Sequence, residues 1–242
     1  MQDLDEIFPG LFPPQRICIV GAGHFGYIAA QRLNRRFPEA SFLVVDQRRE
    51  KLDRIVEDFK LAVLMEDTLS LFENPWIDER TWLIPAVPIH FAFQWLVHEL
   101  KKAGRVEPLP VPDAVAAQIP NPYRAAGGSL CASFATFICP DICHEPNEIC
   151  TYTKSPRPGN LYEELAKIHI TDFDVLVIRS WQLAPGVGGY PKGSLEEVRE
   201  RIADSPEGRY LIATSCRCHG VLDALRWDPV SRAREAGEHS KE

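Results

Sequence analysis

The sequence predicts an α/β fold, in which a mostly parallel sheet carries helices on both faces. Short apolar runs of strand length alternate with amphipathic helical stretches along most of the chain, and this alternation is typical of parallel sheets. The composition agrees, because 45% hydrophobic and 25% charged residues are ordinary values for a globular protein. The length of 242 residues accommodates one large domain or two smaller ones.

Residues 1–103 show the alternation most clearly and are predicted to form one domain. An apolar run at 16–20 precedes a glycine-rich turn, and the helix that follows is expected to end near Phe37, before Pro38. The remaining predicted strands of this half are 41–45, 61–65 and 82–86, and its remaining predicted helices are 49–59 and 89–101. This order favours neighbouring parallel strands joined by crossover helices.

Residues 104–230 are predicted to form a second, cysteine-rich α/β half, which can continue the same sheet. Residues 104–128 are rich in proline and contain Gly127-Gly128, so they are predicted to connect the two halves. The strands predicted beyond them are 130–138, 175–179 and 210–214, and the helices are 160–168, 194–203 and 220–226. Ser194 and Glu197 form a capping box at the start of the second of these helices. The charged tail, residues 231–242, is predicted to be disordered.

Charge and hydropathy exclude several classes of protein. The net charge of -7 argues against a nucleic-acid-binding surface, which is normally basic. No run approaches the roughly 18 apolar residues of a membrane span, and the acidic start of the chain does not resemble a secretory signal. We therefore expect a cytoplasmic protein. Seven cysteines, an odd number, then indicate metal binding or thiol chemistry rather than a set of disulfides.

The most informative motif is the glycine turn, Gly21-Ala22-Gly23-His24-Phe25-Gly26. It follows an apolar strand and opens a helix, and an acidic residue, Asp46, lies twenty residues beyond its last glycine. The first glycine permits a tight turn, the second lets a pyrophosphate approach the backbone, and the third lets helix and strand pack closely. These contexts predict a Rossmann-like dinucleotide site, in which free amides of the helix N-terminus face the phosphates.

The predicted cofactor is NAD, because the Asp46 carboxylate would accept hydrogen bonds from ribose hydroxyls and repel a 2′-phosphate. Arg48 and Arg49 leave NADP open, since nearby arginines can accept that phosphate, and FAD shares much of the pattern. The predicted cofactor contacts are Gly21, Gly23, His24, Phe25, Gly26, Asp46 and Arg48.

The run Ile-Val-Gly-Ala-Gly-His-Phe-Gly, followed by Val-Val-Asp, also resembles a known family. Over about residues 15–65 the chain is similar to the nucleotide-binding regulatory domains of potassium uptake systems, the TrkA N-terminal type. The resemblance implies cofactor contacts at Gly21, Gly23, Gly26 and Asp46. It also implies a role in sensing the bound nucleotide.

A second constellation consists of cysteines in two groups. Cys139, Cys143 and Cys150 lie in a proline-interrupted stretch beside His144, and Cys216, Cys218 and His219 follow the strand predicted at 210–214. If the strands are parallel, the loops after them share one edge of the sheet with the glycine turn. We therefore predict a zinc or iron–sulfur site near the nicotinamide, drawn from Cys139, Cys143, Cys150, Cys216, Cys218 and His219, with His144 as another possible ligand. The alternatives are separate thiols without a common centre and a redox-active pair, Cys216 and Cys218.

The sequence does not single out a catalytic residue, and His90, Arg179 and Cys218 are weak candidates. The function it favours is an NAD(H)-dependent oxidoreductase or accessory redox protein, in which the metal would polarise a carbonyl or the cluster would take electrons. Such a protein would act on a small-molecule substrate or a redox partner protein, and it can be a homodimer. The alternative is a non-enzymatic NAD(H)-sensing regulatory protein of the TrkA N-terminal type with a structural zinc.

Overall fold

A computed structural model describes residues 12–67 and 70–229, so the tail predicted to be disordered, 231–242, lies outside the described residues. The fold is a mixed α/β arrangement with two sheets. Within the described ranges, no helix combines the length and the apolar character that crossing a bilayer requires.

The first sheet has six strands and is parallel in the part predicted from residues 1–103. Its strands are β1 (Arg16–Val20), β2 (Ser41–Asp46), β3 (Ala62–Met65), β4 (Trp82–Pro85), and two strands from far along the chain, β9 (Trp181–Ala184) and β10 (Val187–Pro191). They lie in the order β3-β2-β1-β4-β10-β9. The first four are mutually parallel, whereas β10 runs antiparallel to β4 and to β9.

Helices cover both faces of this sheet, as the sequence predicts. The helices α1 (His24–Arg36) and α2 (Arg49–Phe59) follow β1 and β2 and lie on one face, and α3 (Phe91–Leu100) follows β4 and lies on the other. Leu33 of α1 and Ile55 of α2 share a core with Ile19 of β1. A 3-10 turn spans Ser70–Glu73. The predicted helix and strand bounds in this half are correct to within two residues.

Most of the second half forms a separate sheet, so the possible continuation of the first sheet holds only for β9 and β10. Its strands are β5 (Gly104–Leu109), β6 (Tyr123–Arg124), β7 (Leu130–Ser133), β8 (Asp174–Arg179), β11 (Gly208–Ser215) and β12 (His219–Pro229). They form a separate sheet in the order β6-β7-β12-β11-β8, with β5 also paired to β12. Only β8 and β11 are parallel neighbours in it, and the remaining pairs are antiparallel.

Residues 104–128 are not a simple connection between the halves. They form β5, the short helix α4 (Asp113–Ala116) and β6. The prediction of a connection rested on the prolines of this stretch. In the structure, however, Pro108 of β5 pairs with Leu225 of β12. Because β5 is an outer strand, it tolerates a residue that lacks an N–H.

The helix predicted over 220–226 is wrong, because these residues belong to β12. Leu222 and Ala224 pack into one core, whereas Leu225 and Trp227 pack into another on the opposite face. A strand that is buried on both faces loses the apolar–polar alternation and can imitate a helical pattern. The strand predicted over 130–138 also ends early, at Ser133.

Two helices complete the second half, α5 (Leu161–Ala166) and α6 (Lys192–Ala203). The helix α6 begins two residues before the prediction, with Pro191 at its N-cap, so Ser194 lies inside the first turn and the predicted capping box is wrong. Leu195 of α6 shares one core with α3 and with side chains of both sheets. The boundary between 1–103 and 104–230 stays a prediction, although β9 and β10 cross it by joining the first sheet.

Candidate functional site

The glycine turn is held by close backbone contacts between β1, β2 and α1. Gly21 has φ of +100°, and its N–H donates to the Val45 carbonyl over 2.7 Å. A Cβ on Gly26 would lie 1.8 Å from the Gly21 carbonyl oxygen, which is far inside any permitted contact. Packing alone therefore explains why residues 21 and 26 are glycine.

Gly23 is different, because the fold does not require a glycine there. It is the N-cap of α1 with φ of −70°, and a Cβ would meet only the flexible end of Lys51, 3.5 Å away. Beside it lies a groove of about 540 Å³, the turn groove, whose walls include Tyr27, Lys51 and Arg54. The missing Cβ thus leaves the helix N-terminus open to a groove whose walls carry the cations Lys51 and Arg54 and one acid, Glu50. His24 also lines this groove.

Asp46 lies at the end of β2 with its carboxylate against the turn. One oxygen accepts a hydrogen bond from the Ala22 N–H over 2.8 Å, and the other accepts one from the Arg48 N–H over 2.9 Å. Lys51 Nζ lies 3.6 Å from the first oxygen, whereas the Arg48 side chain is 62% exposed. Burial acts to raise the pKa of Asp46, but these two backbone hydrogen bonds and the charges of Lys51 and Arg48 lower it overall.

The six predicted metal ligands line one cavity of about 610 Å³, the cysteine cavity. They are Cys139, Cys143, Cys150, Cys216, Cys218 and His219. Phe25, at the start of α1, lines the same cavity, so the cavity adjoins the glycine turn. His144 does not line it.

The topology of the second sheet explains this convergence. Both β7 and β11 run antiparallel to β12, and β8 runs parallel to β11. The segments that follow β7, β8 and β11 therefore leave from the same edge, as parallel strands require. The glycine turn belongs to the other sheet, so its proximity to the cysteines has a different cause.

That cause is contact of the cysteine loop, residues 139–150, with α1 and the β9–β10 hairpin. Arg32 of α1 donates from Nη1 to the carbonyls of Asp141 and Pro185. The Cys143 carbonyl accepts a hydrogen bond from the Gly186 N–H over 2.9 Å. The residues after β8, expected to be a loop, are this hairpin, and Gly186 at its turn has φ of +63° and lies against the Asp141 backbone.

The cysteine sulfurs share a cavity, but no three of them in the described residues lie within 4.8 Å of one another. Among residues 12–67 and 70–229, the one group of three or more side chains whose ligand atoms all lie within that distance is Glu73, His98 and Glu99, which contains no cysteine. Lys102 Nζ already lies 2.6 Å from Glu73 and 2.8 Å from Glu99. We interpret that group as a surface ion-pair cluster.

Several of the thiols in the cavity interact electrostatically with one another and with Glu145. Burial, and then the charges of Cys143, Cys218 and Cys150, raise the pKa of Cys139 to about 11. Burial also raises the pKa of Cys216, but the next cause there is the Glu145 carboxylate. Cys139 therefore lies within electrostatic range of Cys143, Cys150 and Cys218, and the Glu145 carboxylate acts on both Cys216 and Cys218.

Arg157 also lines the cysteine cavity and links the chain segments around it. Its Nη1 donates to the Pro146 carbonyl, and its Nη2 donates to the Arg217 carbonyl over 2.8 Å. Its Nε is buried without a hydrogen-bond partner. The charge of Arg157 acts to lower the pKa of both Cys150 and Cys218, although a Thr153 hydrogen bond and burial, respectively, are the larger causes at those thiols.

His90 belongs to a hydrogen-bonded series that sequence reasoning did not find. Its Nδ1 lies 2.8 Å from the Asp223 carboxylate, and its Nε2 lies 2.8 Å from the Thr214 hydroxyl. Ser129 donates to the same oxygen of Asp223 over 2.8 Å. An imidazole between a carboxylate and a hydroxyl can relay a proton, and here it also fixes the start of α3 to the second sheet. The partners lie 124 and 133 residues from His90, so no local pattern could reveal them.

Arg179 lies outside the lining of both cavities. Its guanidinium carbon lies 3.4 Å from the centre of the Trp181 ring and 4.4 Å from that of Tyr162. This stacking accounts for the position of the side chain without a substrate.

Comparison with known proteins places the second half of the chain in a family. The family described as "Uncharacterized protein, C-terminal domain" matches residues 92–228, more than half of the chain. This chain belongs to that family. A relative from Archaeoglobus fulgidus, described as "Uncharacterized protein", is 27% identical over 223 residues, which cover 86% of this chain and 98% of the relative. No solved structure matches the chain.

The part of the chain that matches this family runs from α3 to the end of β12. It contains all six cysteines of the second half, whereas the glycine turn precedes it. The cysteine cavity is therefore built mainly from the family's domain, and α1 contributes Phe25 to it from outside that domain.

Proposed function

We propose that this protein binds NAD(H) at the glycine turn and uses it in a redox reaction beside a thiolate-bound centre in the cysteine cavity. The observation that carries the proposal is Gly23. Packing accounts for Gly21 and Gly26, whereas at residue 23 a side chain has room and is nevertheless absent. A ligand that approaches the backbone there gives that absence a reason, and a pyrophosphate on the N-terminus of a 13-residue helix is such a ligand.

The position of Asp46 supports the same cofactor. Its carboxylate lies at the carboxyl end of β2 and is fixed by two backbone amides, so it stays beside the turn at neutral pH as an anion. A fixed carboxylate suits the two hydroxyls of a ribose and repels a 2′-phosphate, which favours NAD over NADP. Lys51 lines the turn groove with its Nζ 3.6 Å from this carboxylate, and there its ammonium can contact the pyrophosphate.

The strand order also supports the proposal. The four parallel strands lie in the order β3-β2-β1-β4, which corresponds to one half of a Rossmann-like sheet. The turn after β1 lies beside the point where the order reverses, and ligands of open parallel sheets bind there.

The cysteine cavity supports a redox role. Phe25 belongs to the glycine turn and also lines the cavity, so a cofactor on the turn would lie next to the thiols. Bound nicotinamide supplies hydride transfer, and a small-molecule substrate or a redox partner protein would be the other reactant. The proposal therefore describes an oxidoreductase or an accessory redox protein.

The test is calorimetric titration of the full chain with NADH, NADPH and FAD in separate experiments. We expect NADH to bind most tightly and a Gly23→Val variant to bind it at least tenfold more weakly, with an unchanged unfolding temperature. Gly127→Ala is the matched control, since a Cβ at residue 127 meets nothing within 4 Å and Gly127 lines neither cavity. Absence of heat with all three cofactors would contradict the proposal.

One contact favours a second candidate function, an NAD(H)-sensing regulator with a structural zinc. Arg32 connects α1 to the cysteine loop and to the hairpin, so a ligand at the start of α1 can shift both. Anaerobic oxidation of NADH with ferricyanide distinguishes the two. Repeated turnover supports the redox protein, whereas stoichiometric binding without turnover supports the sensor.

A further inference from the structure

We propose that one iron–sulfur cluster occupies the cysteine cavity, held by four thiolates: Cys139, Cys143, Cys150 and Cys218. Cys216 and His219 line the same cavity and are not ligands. This inference rests on the proposed redox function only for its purpose, because a cluster can be present whether or not NAD(H) binds.

The first step is the grouping of the four thiols. They come from the irregular loop after β7 and the turn after β11, which leave the second sheet at the same edge. All four line the cysteine cavity, and Cys139 lies within electrostatic range of the other three. Thiols on irregular backbone can be presented from several directions, as Cys₄ ligation of a cluster requires.

The second step concerns the spacing of the sulfurs. A tetrahedral zinc site with Zn–S bonds near 2.3 Å requires its sulfurs to lie about 3.8 Å apart. In the described part of the chain, no three cysteine sulfurs come within even 4.8 Å of one another. A cluster places iron and sulfide between its thiolates and so holds them farther apart, and a cavity of about 610 Å³ has room for it.

The third step separates Cys216 from Cys218, although only one residue lies between them. The Cys216 sulfur lies 3.9 Å from His219 Nδ1 and accepts a hydrogen bond from the Cys218 N–H over 3.5 Å, so it is engaged within its own turn. Cys218 lines the cavity together with Arg157, whose Nη2 donates to the carbonyl of the preceding residue, Arg217, over 2.8 Å. We therefore assign Cys218, and not Cys216, as the fourth ligand.

The fourth step is the unpaired donor of Arg157. Within residues 12–67 and 70–229, its Nε is one of two buried side-chain polar atoms without a hydrogen-bond partner, and Glu66 Oε2 is the other. Buried donors are nearly always paired, so a lone one indicates a missing acceptor. Sulfur of a bound cluster is such an acceptor, and hydrogen bonds to cluster sulfur raise the reduction potential. Arg157 is therefore a positioning residue for the cluster.

The test begins with the full chain purified without oxygen. We expect iron and acid-labile sulfide in equal amounts, broad visible absorption that bleaches on reduction by dithionite, and a paramagnetic signal in the reduced protein. Stoichiometric zinc in a colourless protein would overturn the cluster. The wild-type protein alone decides this, whether or not any variant folds.

Single serine variants then test the ligand set. Replacement of Cys139, Cys143, Cys150 or Cys218 should each reduce the iron content by at least half, whereas Cys216→Ser and Cys131→Ser should retain it. Loss of iron in Cys216→Ser equal to that in Cys218→Ser would overturn the assignment of ligands. Circular dichroism shows whether each variant is folded.

Arg157→Gln tests the positioning role. We expect a near-normal iron content and a more negative reduction potential, and an unchanged potential would contradict the role. The cluster and the NAD(H) proposals can fail separately: Gly23→Val should keep its iron, and Cys139→Ser should still bind NADH. A protein with iron and no NADH binding would contradict the proposed function and leave the cluster established.

Discussion

The glycine turn and the cysteine cavity meet at Phe25 but are built in different ways. The turn and its carboxylate lie within residues 21–46, and backbone groups already pair them: the Gly21 N–H with Val45 and the Ala22 N–H with Asp46. The cysteines come from two segments as far apart as residues 139 and 218, and no three of their sulfurs in the described residues lie within 4.8 Å of one another. The first site is formed by local backbone geometry, whereas the second depends on long-range packing and a ligand.

The largest effect that tests this comparison is expected from Gly26→Ala. The new Cβ would lie 1.8 Å from a backbone oxygen, which cannot move without displacing β1 from α1. We expect a loss of about 3 kcal/mol in the free energy of unfolding, the upper part of the range for overpacking. Urea denaturation followed by circular dichroism measures it.

The matched control is Gly127→Ala, in the cysteine-rich half, where an added Cβ has open space. We expect a change in unfolding free energy of less than about 0.5 kcal/mol, as for ordinary surface substitutions. Equal losses in the two variants would show that the turn has no special dependence on backbone contact.

A smaller effect is expected from breaking the contact that joins the start of α3 to the second sheet, His90 with Asp223 and Thr214. His90→Leu keeps the volume of the side chain but leaves the hydroxyl of Thr214 and part of the Asp223 carboxylate unpaired. We expect the free energy of unfolding to fall by about 2 kcal/mol, since unpaired buried polar groups carry their full desolvation cost. Urea unfolding monitored by tryptophan fluorescence gives the value.

Thr214→Val is the companion variant, because it removes one of the two contacts of the same imidazole. Its free energy of unfolding should fall by about 1 kcal/mol, and that of the double variant should fall by less than the sum of the two single losses. Strict additivity would mean that the series does not act as a unit.

The sequence predicts the first region well because its signals are local. The strand at 16–20, the turn, α1 and Asp46 follow one another within thirty-one residues, so neighbouring residues are enough to predict each of them. In the second region the same reasoning misreads β12, since the burial of Leu222 on one face and Trp227 on the other depends on layers formed elsewhere in the chain. Local periodicity cannot report which faces of a strand will be covered.

The candidate sites follow the same division. Six cysteine or histidine side chains, predicted to lie together in loops that follow strands, line one cavity, and their role as metal ligands stays a prediction. The partners of His90 and the unpaired Nε of Arg157 were not predicted, since they depend on contacts across more than a hundred residues and on burial, respectively. Strand direction predicts which loops lie at one edge of a sheet, but it does not predict which residues of other elements pack against those loops.

The smallest effect is expected at Asp46, whose contribution to the stability of the turn depends on pH. Its pKa is lowered in the folded protein, because hydrogen bonds from the Ala22 and Arg48 amides and the Lys51 charge outweigh the opposing effect of burial. A lowered pKa stabilises the fold above the usual aspartate range, and the stabilisation is lost as the pH falls through the folded pKa.

Asp46→Asn should therefore lower the free energy of unfolding by about 1 kcal/mol at pH 7, because the amide oxygen of asparagine replaces only part of the hydrogen bonding to the charged carboxylate. The difference between the two proteins should shrink as the pH falls below about 4, where the aspartate carboxyl of the unfolded chain begins to take up a proton, and further as the pH falls through the lower pKa of the folded protein. Thermal unfolding of both proteins across that range measures it, and a difference that grows towards acid would mean that the carboxylate opposes the fold and is kept for binding alone.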